Sequence, residues 1–449
     1  MYSAAPTGAW LIFCLFAHTL TATSQSDIPQ FDRAAAVAYA LDNRPELRAQ
    51  RMELEAAQLT NDIALAAWKP QLLIDGSFQH YLQRPVSIFP DFMDPESGAT
   101  TEVEVGTVNS STLTAGVTQL AYSPSIIYAK RRAEPLVEAA RLELEALQID
   151  VREQVSISFY EAVQLREQLR LFRTDVERLE RSLRDARLLL ENGLRDKVDT
   201  RRATIALNNA RLQLRVGQRQ LDVALSALRQ QMGYPQTEAL DVGYDSLGLR
   251  SEILAATVPQ LDAERRIALR QLQQNERLQH LESAFLEKAW LPTVSANASY
   301  NLNWQANTIG KLYDRVFPNS LAGLAVSLPL YQGGRRFKEL DLSELRARQL
   351  TADAAALVNG FELEYRTAAE TFGVQRDTYR TALENAVLAQ EIYDVVDLQY
   401  REGIKPYLDV VIAESDLQTA RLAALNSLFD AAIARVRLER AAGLLDGRN

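Results

Sequence analysis

The chain has 449 residues, of which 47% are hydrophobic and 24% charged, a balance that excludes an intrinsically disordered protein and provides for a large buried core. Its formal net charge of -9 is spread over interspersed signs, with no cluster of Lys and Arg able to neutralise a run of phosphates, so a nucleic-acid partner is excluded. Cys14 is the single cysteine, which excludes a disulfide framework and thiolate metal sites.

Residues 1–26 contain an apolar run over 9–17, followed by small and polar residues and no charge before Asp27. This pattern predicts a secretory signal peptide, cut near residues 24–26. The run is too short to span a bilayer as a helix, and nothing after residue 30 approaches the eighteen or more apolar residues of a membrane helix.

From residue 27 the chain is written twice. "AAWKPQLL" (66–73) matches "KAWLPTVS" (288–295), "AGVTQLAY" (115–122) resembles "AGLAVSLPLY" (322–331), and "ENGLRDKVDT" (191–200) lines up with "REGIKPYLDV" (401–410). A tandem duplication with a period of about 210 residues divides the chain into repeats at 27–240 and 241–449.

In the first repeat, 33–67 has a helical pattern, and Pro70 opens a strand over about 71–83. A long acidic loop covers 84–108, then a second strand runs over about 110–122. Helices are predicted over about 125–192 and 195–232. Between Leu136 and Asn192 there is neither Gly nor Pro, about 57 residues that as continuous helix reach roughly 85 Å. Such a helix needs a partner along its length. Leu169, Phe172, Val176, Leu179, Leu183, Ala186 and Leu190 alternate at spacings of three and four, the stripe of a coiled coil. Between them Arg173, Asp175, Glu177, Arg178, Glu180 and Arg181 read as a solvated, sign-alternating surface.

The second repeat follows the same plan: a helix, strands near 292–304 and 320–330, and helices over about 335–401 and 406–442, with Gly360 and Gly373 as candidate bends. In its first strand Val294, Ala296, Ala298, Tyr300, Leu302 and Trp304 alternate with small polar residues. Two environments fit: a half-buried sheet in a soluble protein, or a membrane strand with its apolar side toward lipid and its polar side, with Asn297 and Asn301, toward a water-filled lumen. Strand 71–83 is a weaker copy, with Asp75 on the polar side. Four strands are too few for a closed barrel in one chain, so the membrane reading requires several copies to pool their strands.

At "SLPLYQGGRRFKEL" (327–340) the chain resembles the TolC-like outer-membrane efflux protein family: a strand ending Leu-Pro-Leu-Tyr, then Gly333, Gly334 and Arg335 opening a long helix. The A-W-x-P before each first strand and the G-x-x-x-x-x-D of each repeat, Gly193 to Asp199 and Gly403 to Asp409, carry the same resemblance. The first repeat departs from it at Tyr122, Ser123 and Pro124, where Gly-Gly is missing.

The resemblance implies a mainly α fold with a small membrane β part. Tandem long helical hairpins form a coiled-coil tunnel, and four strands per protomer enter a twelve-stranded β-barrel shared by a homotrimer. It implies a passive duct from the periplasm through the outer membrane of a Gram-negative bacterium to the exterior, working with a periplasmic adaptor and an inner-membrane transporter. The 85–108 loop would lie outside the cell. The periplasmic gate is expected at the hairpin tips, with Asp409 as a ring residue favouring cations and Asp199, Tyr407, Lys405 and Arg195 latching adjacent hairpins. Ile412 stands where the family often has a polar residue, which makes an apolar, dewetting constriction the expectation. Gly193, Leu194, Gly403 and Ile404 match the adaptor-docking tips. Taken singly, the glycines are also what ends a helix. The competing reading is a soluble periplasmic coiled-coil adaptor or scaffold, but adaptors carry many short strands where this chain has four long, duplicated ones.

Catalysis is not expected, nor any cofactor or metal: His18, His80 and His280 are scattered, without ligand spacing or a dyad.

Overall fold

The computed structural model describes residues 29–90, 100–193 and 196–445; the expected signal peptide, the middle of the acidic loop, and Leu194 and Arg195 lie outside the described residues. A two-residue strand, β1 (Gln30–Phe31), leads to α1 (Arg33–Asn43), which Asp32 caps by accepting the Ala35 N–H at 2.7 Å. Pro45 then opens α2 (Pro45–Ala66), where its missing N–H has no intrahelical partner to lose.

Strand β2 (Gln71–His80) follows. The acidic segment beyond it is not a plain loop: β3 (Val86–Pro90) and β4 (Thr100–Glu104) pair as an antiparallel ribbon, with Arg84 ion-paired to Glu104 at its base. Strand β5 (Asn109–Tyr122) returns and passes directly into α3 (Pro124–Glu191), again with Pro at the first helical position. The first repeat thus turns from strand to helix with Ser123 and Pro124, where the second uses Gly333 and Gly334 at φ 63° and 79°.

Helix α3 has 68 residues, about 100 Å of helix. It runs through Pro135, which lacks the N–H for an i to i−4 bond. Flanking side chains bind the carbonyls there: Asn61 of α2 donates to the Ala133 carbonyl at 2.7 Å and Gln274 donates to that of Pro135 at 2.6 Å. After the tip at Gly193, α4 (Lys197–Met232) packs back along α3.

The second repeat echoes this order. Strand β6 (Asp241–Val242) pairs in parallel with β1, then come α5 (Ser246–Ala255) and α6 (Ile267–Lys288). Strands β7 (Thr293–Ala306) and β8 (Val316–Ser327) lead to α7 (Arg335–Arg401) and α8 (Tyr407–Ala442). Strand β8 starts four residues before the segment its hydropathy pattern predicts, and takes in Pro318, which an edge strand tolerates. Helix α7 is unbroken through Gly360 and Gly373.

The strands form one antiparallel sheet in the order β2-β5-β7-β8, so the two repeats meet at its centre and each supplies one open edge. The helices bury two cores. One lies midway along them, where Phe159, Phe372, Phe429 and Leu228 pack with α1 and α5. The other is at the tip, where Leu179, Leu183 and Ala186 of the α3 stripe meet Leu207 of α4, Tyr400 of α7 and Val410 of α8. No helix of the described residues is long and apolar enough to cross a membrane.

Candidate functional site

Two regions carry the functional geometry: the sheet and the paired helical tips. In the sheet, cross-strand register sorts the side chains by face. Val294, Ala296, Ala298, Leu302 and Trp304 pair with Val326, Leu324, Ala322, Pro318 and Val316 of β8. On the other side Ala298, Tyr300 and Leu302 pair with Val117, Ala115 and Leu113 of β5, and those with Leu72, Ile74 and Gly76 of β2. Nearly every residue on this face is apolar, and the protomer does not cover it: Leu72 is 80% exposed, Leu324 75% and Val326 66%. The opposite face carries a polar ladder, in which the Thr112 and Thr114 hydroxyls donate to Asn303 and Asn301 at 3.0 and 2.7 Å, and Asn301 donates to Asn319 at 2.7 Å.

Aromatic residues mark both ends of the sheet. Trp68 and Trp290, from the two A-W-x-P motifs, stand exposed where helices enter it. At the far end Trp304 meets Tyr313 edge-on at 5.5 Å. The 14 residues of β7 rise about 46 Å, which at a tilt of about 45° covers about 33 Å, the thickness of a bilayer's hydrocarbon.

At the second tip, α7 ends in a Schellman motif: Gly403 at φ 79° donates to the Tyr400 carbonyl at 3.0 Å and Ile404 to that of Gln399 at 2.8 Å. That geometry leaves Ile404 73% exposed at the extremity. Gly193, at φ 73°, ends α3 in the left-handed conformation, donating to the Leu190 carbonyl at 3.0 Å. Helix α8 opens at Pro406, and Lys405 and Asp409 form an ion pair at 3.5 Å with both side chains partly exposed. Asp199 is half-buried one turn into α4, after Asp196 caps that helix.

Of the expected latch residues that are described, Tyr407 is the deepest. It is fully buried, its ring lies 5.3 Å from that of Tyr400, and its hydroxyl is 3.0 Å from Ser182 Oγ on α3. It therefore joins the α7–α8 hairpin to the α3–α4 hairpin within one protomer. Burial pushes its phenol up to about 12, so it stays a neutral hydroxyl at physiological pH. Asp409 and Ile412 lie one turn apart on the outward face of α8, with Asp416 exposed one turn further on, whereas Val410, Ala413 and Leu417 face the core.

The solvated-surface expectation fails at Asp175 and Arg178. Asp175 is buried, and Arg178, with only 12% of its side chain exposed, donates to Asp175 at 2.8 Å and to Glu414 of α8 at 3.0 Å. The Tyr393 ring of α7 lies 5.0 Å from the same guanidinium. Helix α8 covers this stretch of α3, so two carboxylates share one cation away from water. Burial raises both carboxyls, and Arg178 pulls both back only in part. Arg173, Glu177 and Arg181 do face outward. The i, i+3 spacing of Asp175 and Arg178 was the available signal, but Glu414, 236 residues from Arg178 along the chain, was not legible as their third member.

A two-faced sheet of bilayer height joined to paired hairpins of this length fits the outer membrane efflux protein family, and the chain belongs to it: the family profile matches residues 36–234 and 258–444. It is accordingly a protein of the Gram-negative outer membrane with a periplasmic helical domain. Among its relatives, it is 26% identical to the pyoverdine export outer membrane protein OpmQ of Pseudomonas aeruginosa over 328 residues, 70% of this chain and 66% of OpmQ. It is 25% identical to the toluene efflux pump outer membrane protein TtgF of Pseudomonas putida over 326 residues, 68% of this chain and 63% of TtgF. The chain thus spans less than two thirds of the length of the curated relatives it matches. Its fold is similar to that of the outer membrane protein VceC from Vibrio cholerae, with TM-score 0.68, 18% identity and coverage of 92% of this chain and 96% of VceC. It is similar also to the CmeC outer membrane channel of Campylobacter jejuni, with TM-score 0.69, 16% identity and coverage of 92% and 85%.

Proposed function

We propose that the chain is the outer-membrane duct of a tripartite efflux or secretion system, conducting cargo passively from a periplasmic adaptor and an inner-membrane transporter to the exterior. The observation that carries this reading is the sheet: one face is apolar and uncovered, the other is a Thr/Asn ladder, and both edges are open. Such a sheet is stable in lipid only if its edges are paired. Three copies close it into a twelve-stranded barrel, with Val294, Ala296, Ala298, Tyr300, Leu302 and Trp304 toward lipid and Asn297, Asn301 and Asp75 toward the lumen.

The helical hairpins then continue the barrel as a periplasmic tunnel, closed at the tips. Asp409 and Asp199, repeated around the axis, form a negative constriction that favours cations, and Ile412 adds an apolar ring that resists wetting. Tyr407, Lys405 and Arg195 hold the hairpins in the closed arrangement. Adaptor hairpins dock at Gly193, Leu194, Gly403 and the exposed Ile404. The relatives are named for pyoverdine export and toluene efflux, so the family frame leaves the cargo of this duct open.

The test is fractionation. Recovery from detergent-extracted outer membrane as an oligomer that dissociates on heating, with channel activity in planar bilayers, supports the duct. Recovery as a soluble periplasmic monomer supports a scaffold instead.

A further inference from the structure

Midway along the long helices a cleft of about 500 Å³ opens between α3, α7 and α8 on one side and the start of α5 on the other. Four arginines line it, Arg166, Arg170, Arg250 and Arg421, together with Tyr244 and Tyr379. Carboxylates answer two of the four charges: Arg166 lies 3.3 Å from Asp241 and Arg170 3.6 Å from Glu167. Arg421 donates to Gln390, a neutral group, with Asp175 within electrostatic reach but no ion pair to it. Arg250 is exposed and forms no ion pair among the described residues.

Tyr379 supplies an independent observation. It is 1% exposed, yet its hydroxyl has no hydrogen-bond partner, an arrangement that folded proteins generally avoid. The phenols of Tyr379 and Tyr244 both lie within electrostatic reach of Arg250, and Tyr244 also senses Tyr379. Burial raises both phenols, that of Tyr244 to about 12, so both are hydroxyl donors at neutral pH. The cleft therefore gathers donors and positive charge with too few acceptors.

We propose that this cleft binds a small, multiply charged oxyanion of phosphate or carboxylate type, held by Arg250 and Arg421 and by the Tyr379 hydroxyl. Guanidinium forks suit such oxygens, pairing with them through two parallel hydrogen bonds. Arg170 lies 46 residues beyond Pro124 on α3, about 69 Å from the sheet, so a lipid headgroup in the membrane does not reach the cleft. The ligand is a dissolved anion. Its compartment, the periplasm, rests on the duct reading, but binding does not, and the experiment below reads binding alone.

Purified full-length protein in neutral detergent is titrated with sodium pyrophosphate, with citrate and with dihexanoyl phosphatidylglycerol, at ionic strength held constant with sodium chloride. Calorimetry and thermal unfolding are followed. Pyrophosphate or citrate is expected to bind saturably and to raise Tm, and the short-chain lipid to do neither. Arg250→Gln weakens binding by about tenfold, as for the loss of a charge-assisted contact. Tyr379→Phe removes most of the ligand-induced shift while leaving Tm without ligand unchanged or higher, because it deletes a buried hydroxyl that has no partner. Absence of saturable binding by both anions overturns the site, as does a Tm shift of equal size in wild type and both variants, which would be a general salt effect. Binding by the short-chain lipid in preference to both anions overturns the dissolved source.

Discussion

Arg178 of the first hairpin and Glu414 of the second meet at 3.0 Å, with 12% and 9% of their side chains exposed. Because Asp175 leans on the same guanidinium, removing it strands two carboxylates in a place where neither is hydrated. Arg178→Met should therefore cost about 3–5 kcal/mol at neutral pH. Adding Glu414→Leu should return part of that cost. Denaturant unfolding of the purified single and double variants measures the coupling, and simple additivity would contradict the shared-cation arrangement.

Acid should strengthen this junction. Burial raises Glu414 above its ordinary 4.5 and Asp175 above its ordinary 3.8. The folded state therefore holds these protons more tightly than the unfolded chain, and their contribution is complete below the ordinary values and lost as pH rises through the raised ones. As pH falls from neutral through the raised carboxyl values, the wild type is expected to gain stability at this site. Glu414→Gln should flatten the slope, as read from unfolding midpoints against pH.

Tyr407→Phe keeps the ring against Tyr400 and removes the bond to Ser182, with a cost of about 1 kcal/mol. Assembly should survive, while single-channel openings in planar bilayers become more frequent. Ser182→Ala should do the same, and the double variant no more than either alone.

Two glycines separate backbone strain from crowding. Gly403 and Gly233 both hold positive φ, 79° and 69°, but a Cβ on Gly403 meets open space while one on Gly233 comes 2.9 Å from the Arg44 Cα. Gly403→Ala should cost roughly 1–2 kcal/mol from φ alone. Gly233→Ala should cost clearly more, because the clash is with main chain that cannot rotate away. The order of the two unfolding midpoints decides it.

On the sheet, Leu324→Arg places a cation on the apolar face at a cost of about 2–4 kcal/mol near mid-bilayer, and the yield of outer-membrane oligomer should fall. Asn297→Arg, on the opposite face of neighbouring β7, should leave the yield close to wild type. Equal losses would mean that the two faces do not meet different environments.

Much of this was legible in the sequence because its signals are periodic. Alternation over Val294 to Trp304 predicted a two-faced strand, and β7 sorts those residues onto the apolar face. The stripe through Leu169, Leu179 and Leu183 predicted a long packed helix, and those residues are buried. Long-range contacts have no such period. Asp175 and Arg178 read as solvated because only the tertiary fold brings α8 over them, and Ser182 carried no mark as the partner of Tyr407. The β3–β4 ribbon was also missed, since Pro and Gly in 84–108 read as loop chemistry and the pairing of Val86 with Glu104 joins residues far apart in the segment. The four arginines of the cleft come from α3, α5 and α8, too far apart in the chain for charge patterning to group them.

The ribbon also differs between the repeats: where the first extends β3 and β4 beyond the sheet, the second crosses between β7 and β8 with only a short turn at Ile309–Lys311. In the proposed trimer this would break the near six-fold look of the wall, with three ribbons each bearing Glu102 and Glu104. On the proposed duct reading, in which this loop lies outside the cell, sequence drift in the ribbon alters what the surface displays to antibodies, phage or neighbouring cells while the hydrogen-bonded wall beneath stays as it is.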